Sequence, residues 1–420
     1  MRKIIPIFAV FIILAALIIE PCSADKIYID ITSSGIKKLP IAIQPFVGAK
    51  EVSDIVKADM TFTGLFDCLD DAAQIERPDQ PFNMQSWRGL GVEMVVKGVA
   101  TRSTAQSLDV TVSAFDVAEG REVLRKEYTA KPELVRVLAH AVSNDIYKIL
   151  AGHQGIFKTK IAFIAQKAGL KELYIMDWDG ERMYPVGIKG GIILAPRWAR
   201  DGSKLIYSAE KNRKWGIYQL DMNSMRELST IRLSGVSIVG NFFPDNRRFA
   251  FSTARDGYSD ISIGDIGGSG SRKIIATPWI DVSPSVSPDG STIVFVSNRS
   301  GSPQLYMSDR EGFNVRRLTF HGNYNTSPQW SPTGDKIVYA SMIGGKNQIF
   351  TIKPDGSAAT QLTDAGNNED PCFSPDGRYI AFTSNRQGPT GIFVIRASGE
   401  GLKRLTPKGF RAASPGWSPL

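Results

Sequence analysis

At 420 residues, with 42% hydrophobic and 22% charged side chains, the chain is long enough to bury substantial cores and reads as about two domains, which excludes a disordered or low-complexity protein. The formal charge of +8 comes from Lys and Arg interspersed with Asp and Glu, a mixed solvated surface that argues against nucleic-acid binding. Three cysteines, of which only Cys68 and Cys372 lie beyond residue 22, exclude a disulfide-stapled mini-fold.

Residues 1–24 read as a secretory signal: Arg2 and Lys3 open it, Ile4 to Ile19 is apolar apart from Pro6, and Cys22-Ser23-Ala24 supplies small residues before a cut. A retained anchor fits less well, because the run falls short of the about 20 residues that span a bilayer. A lipidated Cys22 also fits less well, with Glu20-Pro21 before it. Export is therefore expected, with no membrane span after cleavage. Residues 25–38 follow as a flexible mature N-terminus, in which Ile27, Ile29 and Ile31 alternate with polar or amphipathic residues as in a strand that adds to a sheet edge.

A mixed α/β domain is expected over residues 39–154. Leu39 to Phe46 reads as a strand, with Pro40 and Pro45 limiting its pairing. From Glu51 to Thr63 the apolar residues Val52, Ile55, Val56 and Met60 share a helical face, and Gly64 ends it. Strands are expected over 92–99, 107–117 and 122–130. The clearest helix runs from Pro132 to Leu150, with Leu134, Val137, Leu138, Ala141, Val142, Ile146, Ile149 and Leu150 on one face and Gly152 as its stop.

From Pro196 onward one signature recurs, Pro or a small residue, any residue, a large apolar residue, then a turn close to Ser-Pro-Asp-Gly. Its copies begin at 196, 240, 284, 328, 371 and 415, at intervals of 44, 44, 44, 43 and 44. That period, built of short apolar runs and turns, indicates propeller blades. Each repeat divides into four strands, with the first at Pro-x-aromatic, as in Pro328-Gln329-Trp330. The sixth copy ends with its first strand, and residues 161–165, 172–176 and 182–186 supply the three strands it lacks. An all-β six-bladed propeller over residues 155–420 is expected, closed by pairing of the C-terminal strand with strands from the N-terminal side.

Chemistry is sparse. His140, His153 and His321 lack metal-ligand spacing, no Gly-x-Ser-x-Gly occurs, and Gly264 to Gly270 lacks the Lys-Ser/Thr of a phosphate loop. No cofactor or metal is expected. Asp201, Asp245, Asp289 and Asp376 occur once per blade as turn residues, and Trp198, Phe242, Val286, Trp330, Phe373 and Trp417 as inter-blade packing. A partner surface is expected on the segments before each copy, 190–195, 234–239, 278–283, 322–327, 366–370 and 409–414, which vary while the turns do not. An exported propeller enzyme is the competing class, and for it these segments offer only Asp281, Glu369, Asp370 and Arg411.

Leu39-Pro40-Ile41-Ala42-Ile43, Ser53-Asp54-Ile55-Val56, Gly64-Leu65-Phe66-Asp67, Leu138-Ala139-His140 and Gly155-Ile156-Phe157, joined to the repeats, resemble the TolB family, the periplasmic component of the Tol-Pal cell-envelope system of Gram-negative bacteria. The likeness covers essentially the whole mature chain. It implies a non-enzymatic periplasmic adaptor that supports outer-membrane integrity and envelope constriction during division. It implies two partners, the lipoprotein Pal on the propeller's loop face and TolA on the mature N-terminus, with other outer-membrane or peptidoglycan-associated proteins as further candidates. By position in the repeat, Val236, Val239 and Val282 match Pal contacts, and Asp281, Asn325, Thr326 and Glu369 occupy neighbouring places. Asp25, Lys26, Ile27, Tyr28, Ile29, Asp30 and Ile31 match the TolA-binding segment.

Overall fold

The computed structural model describes residues 38–420 apart from 74, 78 and 269; the predicted signal and the segment Asp25 to Ile31 lie outside the described residues. The N-terminal unit runs β1 (Leu39–Ile43), α1 (Lys50–Thr63), β2 (Phe66–Cys68), α2 (Met84–Gly89), β3 (Met94–Ser103), β4 (Leu108–Asp116), β5 (Arg121–Ala130) and α3 (Val135–Ala151). Its sheet has the order β2-β1-β3-β4-β5, with β1 parallel to both neighbours and the rest antiparallel. The alternation of β1 sorts its side chains. Ile41 and Ile43 enter the core with Val52, Val56 and Met60 of α1 and Val142 and Ile146 of α3, while Ala42 faces Trp87, Val92 and Val95 on the other side. The second face is covered by α2, which the sequence pattern passes over because it is only 6 residues long; Asn83 starts it by accepting from the Gln85 N–H at 3.1 Å.

The buried stripe of α3 differs from the one expected. Leu138, Val142 and Ile146 are buried as expected, but Leu134, Val137 and Ile149 are exposed, and Ala139, Ser143 and Tyr147 are buried in their place. Pro132–Leu134 forms a separate 3-10 turn, so the α period starts at Val135.

The propeller comprises six four-stranded sheets. β6 (Lys160–Lys167), β7 (Leu170–Asp177) and β8 (Tyr184–Gly190) form one blade with the C-terminal strand Arg411–Trp417, which pairs antiparallel with β6. The pairing is pinned at its end, where Trp417 Nε1 donates to Thr159 Oγ1 at 2.9 Å. β8 begins two residues later than the spacing predicts, because a turn closed by Asp177 and Glu181 and a left-handed Arg182 (φ 47) intervene.

The repeated turns behave as their composition dictates. Asp201, Asp245, Asp289 and Asp376 each accept from the backbone N–H two residues on, at 2.9 to 3.1 Å. The proline of each turn abuts the glycine of the next blade's turn, Pro244 against Gly290, Pro288 against Gly334 and Pro332 against Gly377. In the first blade Arg200 stands in the proline's place and Asn246 in the facing glycine's. The Asn246 Oδ1 accepts from the Arg200 backbone N–H at 2.7 Å, and the Arg200 guanidinium reaches on to the carbonyls of Ser287 and Pro288, at 3.0 and 2.6 Å.

The two units share one hydrophobic core. Phe62 at the end of α1 packs against Trp178 and Tyr379, with ring centroids 4.8 and 5.4 Å away, and Ile161, Phe163 and Trp417 belong to the same cluster as the α1 and α3 side chains. Arg396 Nη2 donates to the Phe62 carbonyl at 3.2 Å. Gly64 takes φ 71 there, and any side chain on it meets that guanidinium.

Hydroxyl donors from Ser287 and Ser291 hold the Asp289 carboxyl down at about 2. A depressed folded value contributes stability above the unfolded carboxyl range near 4, which is lost as pH falls toward about 2. Urea denaturation between pH 4 and 2 is expected to show a shallower fall in stability for Asp289→Asn than for the unaltered chain.

Candidate interaction face and central channel

The six inner strands are Ile192–Trp198, Val236–Phe242, Asp281–Val286, Asn325–Trp330, Asn368–Phe373 and Arg411–Trp417. They start three or four residues before the Pro-x-aromatic motif, so much of each segment expected as a loop is strand. Each slips register against its neighbour near the motif. At the slip, the residue before the proline takes a left-handed backbone: Ala195, Ser283, Ser327, Asp370 and Ser414, all with φ between 50 and 53. A non-glycine residue with φ above zero carries strain of about 1–3 kcal/mol, which persists only where its surroundings impose the conformation. Blade 2 alone replaces the proline with Gly240, where a Cβ would strike the Pro284 carbonyl.

One residue further on, the variable position links neighbouring blades. Asn241 Oδ1 accepts from the Val286 N–H at 2.6 Å, Ser285 Oγ from Trp330 at 3.2 Å, and Gln329 Oε1 from Phe373 at 2.8 Å. Cys372 receives the Trp417 N–H in the same way, and burial pushes its thiol up to about 12. The two remaining places are Gly416, whose carbonyl accepts from Trp198 Nε1 at 3.0 Å, and Arg197. Arg197, Asn241, Ser285 and Gln329, with the left-handed residues, line a cavity of about 220 Å³ on the axis.

At the loop face, buried polar side chains fasten each connection. Asn325 donates to Gln304 Oε1 at 2.8 Å and to the His321 carbonyl at 2.9 Å, while Gln304 bonds Thr319 and Gly322. Blade 5 repeats the arrangement with Asn368, Gln348, Thr363 and Gly366. In blade 3, Asp281 takes the equivalent place, accepting from Arg299 Nη2 at 3.0 Å and from Thr277 Oγ1. The sequence carries a signal for this clamp outside the blade signature, the recurring Leu-Thr at 318–319, 362–363 and 405–406.

Asp281, Asn325 and Val239 are thus buried and offer a partner no direct surface; Asp281 and Asn325 hold the loops that do, and Val239 lines the cavity. Val236 is exposed, and Val282, Thr326 and Glu369 are half-buried, with Glu369 Oε1 accepting from Asn347 and Asn367 at 3.1 and 2.6 Å. The sequence reading also omits the largest apolar side chains of this face. Phe320 is 70% exposed, Trp279 44% and Tyr258 53%, with Ile280, Tyr324, Met342 and Ile343 beside them. Ser259 N–H donates to the Trp279 carbonyl at 3.3 Å and Met342 N–H to the Tyr324 carbonyl at 2.9 Å, which ties these tips together in pairs on blades 2 to 4. Arg317 lies over the Phe320 ring at 5.1 Å. Their legible sign is large apolar residues in Pro- and Gly-flanked turns.

A second polar cluster joins the two units. His140 Nδ1 lies 2.8 Å from Asp59 Oδ2, which also accepts from Ser143 Oγ at 2.6 Å. His140 Nε2 faces Asp179 of the β7–β8 turn at 3.8 Å, and Asp179 is paired with Arg136. Burial pushes the Asp59 carboxyl up, and the His140 and Ser143 contacts oppose that. The histidine spacing in the sequence gives no hint of this grouping, because its carboxylates come from α1 and from a propeller turn. Both carboxylates are already served by proton donors, so the cluster works as a polar latch between the units. No helix among the described residues is long and apolar enough to cross a membrane.

Two family models match the chain, that of the TolB beta propeller domain over residues 147–420 and that of the TolB amino-terminal domain over residues 27–123. The Tol-Pal system protein TolB of Alcanivorax borkumensis is 31% identical over 242 residues, 55% of this chain and 56% of that protein. The protein of the same name in Geobacter sulfurreducens is 34% identical over 218 residues, 48% of this chain and 50% of that one. The chain thus spans about half the length of these curated relatives. A crystal structure of TolB from Acinetobacter baumannii has the same fold, with a TM-score of 0.81 at 23% identity over 91% of this chain and 97% of that one.

Ser327→Val places a β-branched side chain at φ 51. It is expected to lower stability by about 1–3 kcal/mol in urea denaturation, with Ser327→Gly staying within about 1 kcal/mol of the unaltered chain.

Proposed function

Because the chain belongs to the TolB family, we propose that it is a non-enzymatic periplasmic adaptor of the Tol-Pal system. In this reading residues 1–24 direct export and are removed, the propeller's loop face binds the lipoprotein Pal, and Asp25 to Ile31 bind TolA by adding a strand to its sheet edge. Holding both supports outer-membrane integrity and constriction of the envelope at division.

The observation that carries the reading is the exposed apolar crescent of Tyr258, Trp279, Ile280, Phe320, Tyr324, Met342 and Ile343 on fastened loops. Isolated exposed apolar side chains are ordinary, but large aromatic ones grouped on one face mark interaction surfaces. Aromatic residues are also enriched among those that dominate binding energy. Val236, Val282, Thr326 and Glu369 surround the crescent as candidate Pal contacts, with Val239, Asp281 and Asn325 supporting them from beneath. Two of the carboxylates that an enzyme reading needs are otherwise occupied, Asp281 by Arg299 and Thr277 and Glu369 by two asparagines, which favours the adaptor.

Trp279→Ala and Phe320→Ala are each expected to weaken Pal binding by about 2 kcal/mol or more in calorimetric titration, with an unchanged melting temperature. Pal affinity that survives both substitutions places the contact elsewhere. Deleting residues 25–31 from the mature chain is expected to abolish capture of TolA from envelope extract while leaving Pal capture intact. Retention of TolA by the shortened chain overturns that assignment.

A further inference from the structure

The cavity on the propeller axis contains a charge that the chain leaves unmatched. At the variable position of the inner strand, blades 2 to 5 carry a side chain that accepts an N–H from the next blade. Arg197 has no acceptor to offer, and it lines the cavity. Among the described residues its side chain makes one hydrogen bond, from Nη1 to the carbonyl of its own neighbour Pro196 at 2.9 Å, and no carboxylate lies within ion-pair distance. The guanidinium is half-buried in the channel, where desolvation works against its charge and Asp370 only partly offsets the effect. A partly desolvated cation with donors to spare is costly unless something pairs with it.

Asp370 lines the same cavity from blade 5. Its Oδ2 accepts from Ser414 Oγ at 2.7 Å, while Oδ1 has only a long contact from Ser327 Oγ at 3.4 Å and so keeps room for a stronger donor. The cavity wall therefore carries one positive and one negative group, near enough to influence each other and too far apart to neutralise each other directly. Asn241 commits both ends of its amide to the inter-blade bonds, and Gln329 and Ser285 commit their acceptor oxygens. A simple oxyanion on Arg197 leaves Asp370 repelling it across the cavity, and a simple cation leaves Arg197 doing the same. A ligand bearing both charges satisfies both walls. The volume of about 220 Å³ lies below the range of about 300–1,000 Å³ for pockets that hold drug-sized molecules, which restricts the occupant to a few heavy atoms.

We propose that the central cavity is a binding site for a small zwitterion of amino-acid size, with its carboxylate on Arg197 and its ammonium on Asp370. The test is calorimetric titration of the full chain with glycine, and with sodium acetate and methylammonium chloride as half-ligands. Glycine is expected to give a saturable heat, with either half-ligand at least tenfold weaker. Arg197→Asn, which installs the residue found at this position in blade 2, and Asp370→Asn are each expected to weaken glycine at least tenfold. The absence of saturable glycine binding, acetate binding as tightly as glycine, or two folded variants that titrate like the unaltered chain overturns the proposal. The comparison of glycine with acetate uses the unaltered protein and so decides the matter even if neither variant folds.

Discussion

Six inner strands have to converge on one axis, and the left-handed residue before each proline is what lets them turn there. The strain at Ala195, Ser283, Ser327, Asp370 and Ser414 is imposed by pairing on both sides of the slip in register. Once the strand is bent, its next side chain points sideways to the neighbouring blade and not along the sheet. The acceptor bonds from Asn241, Ser285 and Gln329 follow from that bend, and so does the narrow cavity they enclose. Proline is suited to the following position, since its fixed φ demands no donor from the ladder where the ladder is already broken.

The boundary between blades 1 and 2 departs from this scheme at every level. Arg197 replaces the acceptor, Gly240 replaces the proline, and Arg200 with Asn246 replaces the stacked proline and glycine of the turns. These changes compensate one another. Where the turn contact is lost, Arg200 reaches two blades onward to the carbonyls of Ser287 and Pro288. Where the proline is absent, Gly240 lets the Pro284 backbone come close. Only Arg197 has no compensating partner, which sets it apart from the rest of the scaffold.

Much of the fold is legible in the sequence because it rests on local chemistry. The interval of 43 to 44 residues, the Asp-Gly turns and the count of strands at the two chain ends each register in composition. What is not legible depends on contacts across blades. The left-handed residues are Ala, Ser and Asp, none of which announces a positive φ, so the inner strands look shorter in sequence than they are. Val239, Asp281 and Asn325 sit in variable segments and therefore read as surface, whereas Val239 turns inward to the cavity and the other two are different solutions to fastening one loop: a carboxylate with Arg299 in one blade, an amide with Gln304 in the next. The apolar crescent escapes notice for the opposite reason, since a tryptophan or phenylalanine in a chain with 10% aromatic residues is more readily assigned to the interior.

The bond between Thr159 and Trp417 joins residues 258 positions apart. During synthesis β6 emerges early, and its inner edge stays vacant until Arg411–Trp417 has been made. Because Ile161, Phe163 and Trp417 share a core with α1 and α3, the N-terminal unit also stays incomplete over that interval. The two units therefore depend on the same strand, Arg411–Trp417, for completion. A prematurely stopped chain presents both an open strand edge and an uncovered aromatic cluster, the marks by which proteases and chaperones distinguish unfinished chains from finished ones.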